Sequence, residues 1–122
     1  MKNKPNGGNE MREKIVQTAG RDSLGQFAPM FAHLNDDVLF GEVWNEDVLP
    51  IKTKCIITVV SLMASGVIDS SLSHHLENAK NHGVTKEEIA AIITHATMYT
   101  GWPKGWAVFV WRKKCGKRKK RR

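Results

Sequence analysis

The segment PIKTKCIITVVSLMASG, residues 50–66, constrains the fold more than any other part of the chain. Its β-branched run IITVV, residues 56–60, would suit a buried strand in isolation. It lies, however, within a longer apolar stretch without alternation, and no second strand-like run exists to pair with it. A central buried helix, opened at Pro50 and closed near Gly66, is the reading that remains. The punctuation elsewhere is helical too. MREKIVQTA stops at Gly20, APMFAHLNDDVLF carries Pro29 in its first turn, and DSSLSHHLENAKNHG runs from an Asp69 or Ser70 N-cap to Gly83. VTKEEIAAIITHATMYTG opens with a capping box, Thr85 and Glu88, and ends at Gly101; a last helix runs from Pro103 through WAVFVW. Six helices joined by short loops predict an all-α bundle.

At 122 residues and 41% hydrophobic, the chain has the size of one domain with one compact core. The Pro-, Gly- and Asn-bearing residues 1–10 read as a flexible leader, residues 11–112 as the domain, and residues 113–122 as a basic disordered tail. No apolar run approaches the roughly 18 residues of a membrane span, and the N-terminus lacks a signal-peptide core. A cytoplasmic protein with no membrane partner is expected. Cys55 and Cys115 stand too far apart in sequence for a local CxxC redox or zinc motif. The net charge of +7 is concentrated at one end: residues 112–122, RKKCGKRKKRR, hold nine of the 19 Lys and Arg, leaving ten bases against 12 acids over residues 1–111, a net −2. Nucleic acid is therefore expected as a partner only non-specifically, through the tail.

Three of the five histidines fall within SHHLENAKNH, residues 73–82. At about 100° per residue, His75 and His82 share a stripe with Leu72, Leu76 and Ala79, while His74 lies on the polar face. A zinc pair on one helix needs histidines one turn apart. His75 and His82 are two turns apart, roughly 10 Å along the axis, so they cannot share an ion and no metal is expected. His82 reads as a C-terminal cation or hydrogen-bond donor and His75 as a core-edge imidazole. On the following helix, Glu88, Ile92, His95, Tyr99 and, near its end, Trp102 follow a spacing of three or four along one side. Such a stripe could line a pocket, with subunit anchoring by Trp44, Trp102, Trp106 and Trp111 as the competing explanation.

FGEVW at 40–44, the buried helix to Gly66, HLENAKNHGVTKEEI at 75–89 and ITHATMYTGWPK at 93–104 occur in that order. Together they resemble the carboxymuconolactone decarboxylase family, whose fold the alkylhydroperoxidase D-like proteins share. The resemblance covers roughly residues 27 to 110. It implies a six-helix alkylhydroperoxidase D-like bundle assembled as a trimer or a hexamer, with the active site near subunit contacts. Peroxidase-type members carry CxxCxxxH. The matching histidine here is His75, and the cysteine positions four and seven residues before it hold Ser71 and Ile68. Serine cannot replace a thiol in disulfide exchange, so the chain resembles the decarboxylase-like branch.

The resemblance then implies loss of CO2 from a small carboxylated lactone or related acid without a cofactor. His75 would be the acid/base and Glu42 would orient it or act as a base; Trp44, His95, Tyr99 and Trp102 are candidate pocket residues. Two alternatives stay open: a peroxidase-like protein using Cys55, and a non-catalytic helical oligomer whose tail binds polyanions. The last helix of the family usually continues with small and acidic residues, so RKKCGKRKKRR departs from it.

Overall fold

The computed structural model describes residues 13–121, with side chains described through Lys113; the leader expected over residues 1–10 lies outside these. Among the described residues there are six α-helices, one π-helical segment and no strand, and no helix is long and apolar enough to cross a membrane. Where the sequence suggests one core, the chain parts at Pro50 into two compact units.

The first unit contains α1 (Ala19–Leu24), α2 (Pro29–His33) and a π-helical segment (Leu34–Val43) that continues α2. The helix predicted over MREKIVQTA does not form in residues 13–18. Two buried side chains explain why. Asn45 grips the backbone of Ile15, its Oδ1 accepting the Ile15 N–H at 2.8 Å and its Nδ2 donating to the Ile15 carbonyl at 2.9 Å. Asp36 accepts the N–H groups of Gly20 and Arg21, both at 2.8 Å, and so caps from a distance the next two donors of α1, whose first N–H, that of Ala19, goes to Gln17 Oε1 at 2.9 Å. Gly20 is therefore not a helix stop. A Cβ there would stand 2.7 Å from an Asp36 carboxylate oxygen, so this close approach needs glycine.

The π-helical segment is the second departure from the sequence reading, which ends a helix at Phe40. Wider turns leave carbonyls unpaired, and Asn45 Nδ2 takes those of Phe40 and Gly41 at 3.1 Å each, while the Trp44 N–H bonds Leu39 five residues back.

In the second unit α3 (Ile51–Ser65) is the central element, packed by α4 (Ser70–Asn81), α5 (Lys86–Thr100) and α6 (Trp102–Arg121). Its buried stripe Ile51, Cys55, Val59 and Met63 repeats every four residues. This confirms IITVV as helix: burial came from neighbours on several sides, not from strand pairing. Leu72 and Ala79 of α4, Ile89, Ile93 and Ala96 of α5, and Val108 of α6 complete the core. Asp69 caps α4 by accepting the Ser71 N–H at 2.9 Å, and the Thr85–Glu88 capping box of α5 is formed in both directions. Lys104 donates to the Ala64 carbonyl at the end of α3 at 2.9 Å, a cation at the negative end of a helix. The last helix is longer than Pro103–Trp111, its backbone running to Arg121 through residues whose charge alone suggests disorder.

Candidate functional site

The three clustered histidines separate as their positions on α4 and its end dictate. His74 is exposed and His75 half-buried, their rings edge to face with centroids 5.1 Å apart. Nδ1 of His75 is closed to solvent. Burial lowers the pKa of His75, and the neighbouring His74 lowers it further, because neither a drier site nor a second imidazolium favours the charged ring. The ring is thus predominantly neutral at neutral pH. His82 caps the same helix with its Nδ1 2.9 Å from the Asn78 carbonyl. A carbonyl only accepts, so that nitrogen carries the proton. Among the described residues no three His, Cys, Asp or Glu side chains group closely enough to hold a metal ion.

Cys55 lies inside the second unit at 1% exposure, with the Asn78 amide nitrogen 3.6 Å from its sulfur. Burial pushes its thiol pKa up, which disfavours the thiolate that peroxide chemistry requires.

Two openings flank α5. The larger, about 510 Å³, is a groove between α3 and α5 with Ile56, Val60, Ile92 and Ala96 on its floor and His95 and Tyr99 at its edge. The His95 and Tyr99 rings stand 5.5 Å apart on successive turns. The smaller, about 200 Å³, lies between α5 and α6 and is lined by Thr94, Thr97, Trp102, Gly105, Trp106 and Phe109. Trp102 therefore does not join His95 and Tyr99 as their spacing suggests. Gly101, at φ +118°, ends α5 and breaks the helical register between residues 99 and 102. His75 lines neither opening.

Glu42 and Trp44 belong to the first unit. Glu42 is exposed in the π-helical segment, and Trp44 is buried with its ring stacked on Phe40, centroids 6.1 Å apart. Glu88, the first member of the spaced stripe, is occupied structurally: it closes the capping box and pairs with Lys52 at 3.1 Å. Ile92 of the groove floor lies on the stripe read from sequence, but the α3 side of the floor escaped sequence reasoning. Its signal was Ile56 and Val60, each one position beyond the main buried stripe of α3, which makes that helix apolar on a second side.

The fold and these side chains describe a small helical protein with one half-buried, neutral histidine and no thiol pair before it. The family model described as carboxymuconolactone decarboxylase family matches residues 29–113, and the chain belongs to that family. It is 35% identical over 82 residues to 4-carboxymuconolactone decarboxylase of Acinetobacter baylyi (strain ATCC 33305 / BD413 / ADP1). That match spans 67% of this chain and 60% of the relative.

Proposed function

We propose that this chain is a decarboxylase-like enzyme that removes CO2 from a small carboxylated lactone or a related acid without a cofactor, with His75 as its acid/base. The observation that carries the reading is the half-buried His75, held neutral on α4, with Ser71 and Ile68 where a dithiol would stand. In such a reaction the carbon–carboxylate bond breaks, CO2 leaves, and the electron pair passes into the conjugated lactone with charge developing on its oxygen. A neutral imidazole offers one N–H to that oxygen as the charge develops. With Nδ1 shut away, Nε2 is the nitrogen for this contact. The same ring relays a solvent proton to the carbon, which restores the C–H bond. Glu42 is the second candidate, as a carboxylate base.

His75→Gln should lower kcat by about 10²- to 10⁴-fold with the far-ultraviolet circular dichroism unchanged. The pH profile tests the protonation state. A histidine with a lowered pKa is neutral above that value, so kcat/KM should be level across pH 7 and fall only below a pKa under the ordinary 6.5 or so. A rate that declines as pH rises through about 6 to 7 would instead make the imidazolium the working form. The groove beside His95 and Tyr99 is a second place for the acid to bind. Tyr99→Phe or His95→Gln should raise KM and spare kcat if the groove holds substrate, and leave both unchanged if it does not.

A further inference from the structure

The C-terminal helix α6 carries two features that decarboxylation does not use. Trp102, Trp106 and Val110 are 60%, 63% and 49% exposed, and they recur every fourth residue. At about 100° per residue they span an arc of about 80°, with exposed Lys113 inside the same arc. Val108, on the other side of the helix, is buried. The helix that presents this apolar strip runs on without a break into RKKCGKRKKRR, which holds nine Lys and Arg and no acid. A one-sided aromatic strip leading into a strongly basic end is a combination with few partners.

We propose that α6 is a peripheral anchor that lies on the surface of an anionic phospholipid bilayer. Indole rings favour the headgroup region, where the apolar ring meets acyl chains and the N–H meets water or phosphate. Basic residues next to such a strip are drawn to the negative surface, so the two contributions add. The net −2 of residues 1–111 would repel the same surface, which leaves the C-terminal helix as the attractive end. Charge complementarity alone also fits a nucleic acid. Base stacking, however, uses separate aromatic faces and has no need of the aliphatic Val110 in line with two tryptophans. The helix lies on the membrane and does not cross it, in agreement with its polar composition.

The test is sedimentation of the full-length protein with vesicles of phosphatidylcholine alone and of phosphatidylcholine with about 30% phosphatidylserine. Binding is expected only to the anionic vesicles, with a blue shift of tryptophan emission and loss in about 0.5 M salt. Trp106→Ala should weaken binding about tenfold, and Val110→Ser should weaken it measurably without a core position being touched. Joint replacement of Lys117, Arg118, Lys119 and Lys120 by Gln should abolish it. Failure to sediment with anionic vesicles overturns the proposal. So does equal binding by Trp106→Ala and Val110→Ser together with displacement by duplex DNA, which would make the tail a polyanion binder. A change of oligomer mass in Trp106→Ala, with no vesicle binding by the parent protein, would overturn it in favour of a second copy covering the strip. None of these outcomes bears on whether His75 turns over an acid.

Discussion

Cys55 shows how one residue's surroundings decide its chemistry. A thiol at 1% exposure, with its pKa raised by burial, is slow to ionise and slow to meet a reagent. In a Cys115→Ser background, a thiol-specific disulfide reagent should label Cys55 slowly in the folded protein and rapidly in denaturant, and peroxide should not consume it. Fast native labelling would reopen a peroxidatic role. His75 is the opposite case: half-buried in the same unit, it keeps part of its ring exposed while burial holds it neutral. The sequence distinguished His75 from His74 because helical periodicity separates adjacent side chains by about 100°. It could not show that Nδ1 is closed off, since that depends on packing.

At the level of elements, local capping and distant capping respond to different variants. The capping box of α5 is local, and Thr85→Ala should cost about 1 kcal/mol, read from chemical denaturation. The box was legible in sequence for that reason: donor and acceptor lie three residues apart. The cap on the Gly20 and Arg21 donors of α1 comes from Asp36, 16 residues away from Gly20, and no local signal marks it. Burial by itself would raise the Asp36 pKa, but the Asn35 amide, the backbone N–H groups of Arg21 and Gly20, and the Arg21 charge together hold it below the ordinary value. Its contribution is therefore complete above the unfolded pKa near 3.9 and is lost as pH falls through the lower folded value. Acid should release α1 only below about pH 4, whereas Asp36→Asn should loosen it at neutral pH; hydrogen exchange at Gly20 and Arg21 reads both. Unchanged protection at these two amides in the variant would remove Asp36 as the cap.

At the scale of the whole molecule, the first unit leaves large apolar side chains in water, Phe27 at 89% and Val48 at 82% among them, with Met30 and Phe31 also exposed. Surface of this kind is more than a monomer usually leaves open. We expect it to be covered by other copies of the chain, so light scattering should give about three or six times the 13.7 kDa chain mass. A monomer at working concentrations would sink that expectation. The sequence by itself determined the helical class, the central place of residues 51–65 within the second unit, and the lack of a dithiol before His75. Each follows from periodicity, capping residues or residue identity, which act over a few positions. Only the tertiary structure decided that residues 13–18 stay unwound, that the segment before Trp44 widens into π turns, and that Trp102 parts from His95 and Tyr99. Those outcomes depend on where Asp36, Asn45 and the backbone at Gly101 direct hydrogen bonds and chain direction, and such long-range or register-breaking contacts leave no periodic mark in the sequence.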